Sequence, residues 1–367
     1  MNLLQDFGYK QSAIEKKLSD VWKSLFEGSA RERVYFEDSD GAYILDTDSD
    51  EVSTAGMSWG MLVAVQMNRK DVFDKLWKWA RTFMYISSGE LKGFFSFACE
   101  KDGSVKHELP RPDGEENFAL SLIFAGHRWG NGTGIFNYDK EGHAILKAMV
   151  HSRHALFNKM NYLVRNKVDE NNSDVSYNLP HFYDMFSMFC DPKDEQFWSK
   201  AAEASRGFIV RASDRKTGMS AEYVDYSGAP LSVKEHGTYF SHSYVVAANM
   251  GLHALWSGDF SEFSAIARNL ISFFDKTETG DFMDYLIDGT ARARKARYQL
   301  ALASGVAAAA ITLERSKEPV KPADLAKAKR AVKRFWNAPL TTGKKRFFDN
   351  SLYFYVLLML SGNFNVY

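Results

Sequence analysis

The chain has 367 residues, with Lys+Arg 46 balancing Asp+Glu 46 and 14% aromatic residues. Zero net charge argues against nucleic acid or an anionic membrane surface as the main partner and suits a neutral ligand. The rings can stack on sugar faces as well as fill a core. Two cysteines, Cys99 and Cys190, are too few for a secreted disulfide scaffold. The opening MNLLQDFGYK lacks a basic region followed by an apolar run, and no apolar stretch reaches the roughly 20 residues of a membrane span, so a cytoplasmic protein is expected.

In chain order, an S-x-x-E capping box at Ser12 to Glu15 opens an amphipathic helix carrying Ile14, Leu18, Val21, Trp22, Leu25 and Phe26. A turn-rich stretch, 37–50, ends in the acidic run Asp46, Asp48, Asp50 and Glu51, which reads as a solvated loop. The helical period returns at Phe73, Leu76, Trp77, Ala80, Phe83 and Met84. Next, Pro112-Asp113-Gly114-Glu115-Glu116 leads into a helix containing Phe118 and Leu122, and one of two compatible readings of Asp113 makes it the N-cap, with Glu116 closing a second capping box. Further helices follow from Phe197, Trp198, Ala201, Ala202, Ser205, Phe208 and Ile209, and from Phe260, Phe263, Ala267, Leu270, Ile271 and Phe274. Turn-rich segments at 101–114, 131–142, 212–237 and 277–289 separate them, and some can hold short hairpins.

No Ser/Gly-rich or proline-rich linker divides the chain, which reads as one domain over 1–367. About a dozen helices joined by alternating short and long loops suit an all-α barrel of helical hairpins whose long loops build a cleft at one end. Pattern alone leaves an α-solenoid open, although no fixed-period repeat is present.

Four segments carry a family likeness: TAGMSWGM (Thr54 to Met61), PRPDGEENFAL (Pro110 to Leu120), SYNLPHFYDMFS (Ser176 to Ser187) and FFDNSLYFYVLLMLSGNF (Phe347 to Phe364). Together and in order, they resemble glycoside hydrolase family 8, and within it the reducing-end xylose-releasing exo-oligoxylanases. The resemblance implies an (α/α)6 barrel, an inverting attack on β-1,4-linked xylo-oligosaccharides, and no cofactor. Inversion needs an acid to protonate the departing oxygen and a base to activate water on the opposite face.

The resemblance puts the family's general acid at Ala55, which cannot transfer a proton. It puts the general base at His242, in Phe240-Ser241-His242-Ser243-Tyr244, where the family has an aspartate, and a nearby arginine position is Val245. Histidine can act as a base near neutral pH, and Glu235, in the preceding loop, is an alternative base. Asp113 matches the family's aspartate at the cleavage subsite. Phe97 stands where the exo-oligoxylanases have a sugar-stacking tryptophan, and Tyr298-Gln299 falls near their product-side loop. Asn178, His181, Tyr183, Tyr244, Tyr285 and Arg346 are the further candidates for lining the cleft, each with a core or loop-anchoring role equally open.

His127, His151, His154 and His253 fall in neither an HExxH nor a paired-cysteine pattern, so no metal is expected. Nucleophile-elbow and phosphate-cradle glycine patterns are absent too. Three readings of Ala55 remain: a substitution introduced into a working hydrolase, a non-catalytic descendant binding carbohydrate or a protein partner, and an enzyme with rearranged machinery. Change at the acid, base and stacking positions together favours divergence.

Overall fold

The computed structural model describes residues 1–276, 280–314 and 320–367; the first three residues of the turn-rich stretch 277–289 lie outside them. Among the described residues the helices are α1 (Leu3–Asp6), α2 (Gln11–Trp22), α3 (Thr54–Gln66), α4 (Lys70–Phe83), α5 (Pro112–Trp129), α6 (Tyr138–His151), α7 (Pro180–Phe189), α8 (Glu195–Ala212), α9 (Ser243–Ser257), α10 (Ser264–Asp275), α11 (Gln299–Glu314), α12 (Pro322–Asn337) and α13 (Arg346–Leu360). Short antiparallel strands decorate the connections: β1 (Tyr35–Glu37) with β2 (Ala42–Ile44), β3 (Val52–Ser53) with β4 (Ala98–Cys99) and β5 (Val105–His107), β6 (Ser173–Asp174) with β7 (Tyr223–Val224), and β8 (Met283–Tyr285) with β9 (Ala291–Lys295).

These elements form two compact units. The first holds Met1–Trp22, Asn172–His181 and Ser205–Phe364; the second holds Lys23–Asn171, Phe182–Ala204 and Asn365–Tyr367. In the second, α3 packs on α4 and α5, and α5 packs on α6. Helix α4 follows its sequence period, with Val72, Phe73, Leu76, Trp77 and Ala80 buried on one stripe. In the first unit α11 contacts α9, α10, α12 and α13. Its sequence, QLALASGVAAAAITLE, is apolar all round, as a helix enclosed by others must be. Small residues let it approach closely: a Cβ on Gly305 would fall inside 3.0 Å of the Tyr244 carbonyl oxygen at the start of α9.

Both predicted capping boxes are corrected. Helix α2 begins at Gln11, so Ser12 lies within its first turn, and Glu15 Oε1 accepts from Gln11 Nε2 at 2.8 Å. Helix α5 has Arg111 at its N-cap and Pro112 at its first position, where a fixed φ and a missing N–H cost nothing. Asp113 therefore sits in the first turn, and Glu116 points to Tyr183 instead of the cap. The apolar stripe of α2 is as expected, with Ile14, Leu18, Val21 and Trp22 all buried.

Candidate active-site residues

In the second unit three candidates come together around the start of α3. Ser53 caps this helix, its Oγ accepting from the Gly56 N–H at 3.2 Å. Strand β3 pairs with β4, and Thr54 N–H donates to the Phe97 carbonyl at 2.8 Å, which sets Phe97 beside the turn carrying Ala55. Gly114 lies so close to Thr54 that a Cβ there would fall inside 3.0 Å of both Thr54 Cβ and Oγ1. The first turns of α3 and α5 thus meet, and Ala55 and Asp113 are the chain neighbours of the touching pair. Ala55, Phe97 and Asp113 are all only half-buried, whereas the chain neighbours on either side of each are buried. The Arg111 guanidinium sits 4.4 Å from the Phe97 ring centroid, holding that ring by a cation–π contact.

Behind this surface two carboxyls are wholly buried. Glu115 Oε1 accepts the Phe95 N–H at 2.8 Å, and Glu116 Oε1 accepts the Tyr183 hydroxyl at 2.5 Å. Burial pushes both well above the usual carboxyl range, more than their hydrogen bonds lower them. Tyr183, itself buried, therefore serves as the partner of Glu116 inside the unit. Of the acidic run, Glu51 is engaged by Lys106 at 3.1 Å and Asp50 by Lys101 at 3.0 Å.

In the first unit His242 stands beside two buried carboxylates. Its Nδ1 lies 3.2 Å from Asp174 Oδ2 and 3.8 Å from Glu222 Oε1. Pairing of β6 with β7 brings these carboxylates together, with Asp174 opposite Tyr223, the residue after Glu222. Asp174 caps a 3-10 turn, its Oδ1 accepting the Ser176 N–H at 2.8 Å and the Ser176 hydroxyl at 2.7 Å. Asn249, on α9, donates to the Ser176 carbonyl at 2.8 Å and ties that turn to the helix His242 precedes. The Phe348 and Tyr177 rings flank the imidazole at 5.7 Å each. Ser241, just before it, holds a left-handed φ of 46°, a conformation costly for a residue with a Cβ.

Glu222 Oε2 faces His236 Nδ1 at 3.0 Å, and the His236 ring stacks on Tyr223 at 4.4 Å. Burial raises the Glu222 carboxyl, while the hydrogen bond to Glu222 raises the His236 imidazole above its ordinary 6.5. A raised folded-state histidine contributes stability that is full below 6.5 and disappears as pH climbs through the folded value. Thermal unfolding across that window is expected to show a falling midpoint, and His236→Gln should flatten the fall. An equal slope in both proteins would remove the ion pair from the account.

The remaining candidates are distributed through the first unit. Glu235 is held by Arg294, whose Nη1 is 3.4 Å away, and its carboxyl is lowered by a backbone hydrogen bond and by this arginine, which weakens it as a base. Asn178 is fully buried, donating to Ser173 Oγ at 2.9 Å and the Asp174 carbonyl at 3.0 Å. His181 is buried edge-on to Trp256, and burial keeps it neutral by lowering it well below 6.5. Tyr244 packs on Tyr239, whose backbone pairs with that of Tyr285. Arg346 donates to the Gly343 carbonyl at 2.7 Å.

Sequence reasoning missed Asp174, Glu222 and the link from His236 to Glu222. Local spacing carries no signal for groups that meet only through β6–β7 pairing. For the same reason the motif rules that predicted no metal overlooked Asp174, Glu222 and His242, whose potential ligand atoms lie within 4.8 Å of one another. No helix among the described residues is long and apolar enough to cross a membrane.

Comparison with known proteins defines the class. The model of glycosyl hydrolases family 8 matches residues 21–343, and the chain belongs to that family. It is 40% identical over 374 residues to the reducing end xylose-releasing exo-oligoxylanase of Halalkalibacterium halodurans, covering 100% of this chain and 94% of the relative. The Bifidobacterium adolescentis protein of the same description is 38% identical, covering 97% and 94%. Among solved structures, a mutant exo-oligoxylanase complexed with xylobiose superposes with a TM-score of 0.94 at 40% identity, over 99% of this chain and 96% of that one. The Paenibacillus barcinonensis enzyme complexed with xylose gives 0.93 at 37%, over 100% and 97%. The expected all-α (α/α)6 barrel fold is the one shared with these structures.

Proposed function

We propose that this chain binds β-1,4-linked xylo-oligosaccharides and that, with alanine at position 55, it hydrolyses unactivated ones poorly. Similarity to xylose-releasing exo-oligoxylanases over the full chain is the observation that carries this reading. Family resemblance assigns the general acid to Ala55, whose methyl group has no acidic proton to transfer, and sugar hydroxyls are poor leaving groups without one. Losing a general acid typically costs about 10² to 10⁴ in rate. On the base side His242 retains a titratable nitrogen, so the deficit lies with the acid. Asp113 and Phe97, half-buried beside Ala55, are the groups proposed to touch sugar.

Calorimetric titration with xylobiose, xylotriose and xylotetraose tests binding. Asp113→Ala is expected to weaken it by about 1 to 3 kcal/mol, the scale of a hydrogen bond to a charged group. A second reading, a non-catalytic descendant that binds a protein partner, draws on the joint change at Ala55, His242 and Val245. Absence of binding across the panel would favour it.

A further inference from the structure

We propose that Asp174 and His242 form a carboxylate–imidazole pair in which Asp174 holds the ring proton on Nδ1 and leaves Nε2 as the proton acceptor for water. Three observations point to it. Asp174 Oδ2 is 3.2 Å from His242 Nδ1, close enough to accept its hydrogen, whereas Glu222 Oε1 at 3.8 Å is beyond that reach. The Asp174 carboxylate is fixed, since its other oxygen accepts from both the Ser176 amide and hydroxyl. The ring is fixed too, between Phe348 and Tyr177 and after the strained Ser241. The partner of one imidazole nitrogen decides where the proton sits and so which nitrogen can act. With Nδ1 turned to Asp174, Nε2 is at the opposite edge of a side chain that is 28% exposed.

This inference rests on the hydrolase reading and supplies its base. Water would give its proton to Nε2 as its oxygen bonds to the anomeric carbon. The bond to the leaving group would break, with the electron pair departing on that group. Fluoride can leave in this way without help; a sugar oxygen needs the proton that position 55 lacks. The resulting imidazolium would face the Asp174 carboxylate, with Glu222, itself hydrogen-bonded to His236, nearby. Asp174 is thus a positioning residue and His242 the group that meets water, as in the aspartate–histidine arrangement of serine hydrolases.

Nitrogen-15 spectra of the labelled full chain, on the alkaline side of the His242 titration, read the tautomer directly. The unaltered protein should show a protonated Nδ1 and a bare Nε2. In Asp174→Asn the amide oxygen is claimed by Ser176, so the NH₂ group must face His242 and donate to Nδ1. The proton should then move to Nε2, and hydrolysis of β-xylobiosyl fluoride should fall about 10²-fold or more. Glu222→Gln should leave the proton on Nδ1. A proton on Nε2 in the unaltered chain would overturn the positioning role. So would an Nδ1 signal that changes when a chelator removes zinc, which would make Asp174, Glu222 and His242 a metal site. Undiminished fluoride hydrolysis in an Asp174→Asn protein with the inverted tautomer would overturn the base role. If the unaltered chain hydrolyses no donor while its proton sits on Nδ1, the hydrolase reading fails and the pairing of Asp174 with His242 stands.

Discussion

Ala55→Glu is expected to raise xylotriose hydrolysis by about 10² to 10⁴-fold, the usual contribution of a positioned general acid. Position 55 lies in the first turn of α3, half-open to solvent and next to the first turn of α5 that carries Asp113. A helix N-terminus favours the ionised carboxylate, which works against an acid that must hold its proton. The buried Glu115 and Glu116 show that carboxyls in this unit are pushed upward by burial, with Asp113 adding to the rise. A new carboxyl on the turn next to Asp113 would gain a like-charge push of the same sign, and substrate covering it would add desolvation. Removing His242 from the restored protein, as in Ala55→Glu/His242→Ala, should cancel the gain. An inert Ala55→Glu protein that becomes active only as Ala55→Glu/His242→Asp would instead mean that the base side was lost as well. Product formed by either active variant should show inversion at the anomeric carbon.

Gly114→Ala is expected to destabilise the protein by about 1 to 3 kcal/mol and to weaken xylo-oligosaccharide binding at the same time. The added Cβ would overlap Thr54 Cβ, and no rotamer of Thr54 moves that atom. The two first turns must therefore separate, carrying Asp113 away from the turn that holds Ala55. Denaturant unfolding and the same calorimetric titration measure both effects. Thr54→Gly deletes the obstructing atom, so Gly114→Ala/Thr54→Gly should recover binding that the single change loses. Equal binding by Gly114→Ala and the unaltered chain would show that the spacing of these turns is unimportant to the ligand.

Much of this was legible in the chain. Apolar residues recur at helical spacing in α2 and α4, and burial follows that spacing because one stripe faces the core. Helix α11 was less legible, since a helix enclosed on every side has no polar face to set its period. The capping boxes were misplaced because Gln11 and Pro112 start their helices earlier than the side-chain pattern suggests. At the site, Ala55, Asp113 and Phe97 were found through family likeness, and Thr54 gathers them by its contacts with Gly114 and the Phe97 carbonyl. The partners of His242 were hidden. Asp174, in β6, and Glu222, just before β7, reach it from positions some fifty residues apart in the chain, a separation that no local pattern records.

The most direct test of the central claim compares two donors on the unaltered chain: xylotriose, whose leaving oxygen needs a proton, and β-xylobiosyl fluoride, whose leaving group does not. Release of xylose and of fluoride is followed under identical conditions. The expected result is measurable fluoride release with xylotriose turnover lower by about 10² or more. Xylotriose hydrolysis as fast as fluoride release would contradict the account, because a proton donor other than residue 55 would then be at work.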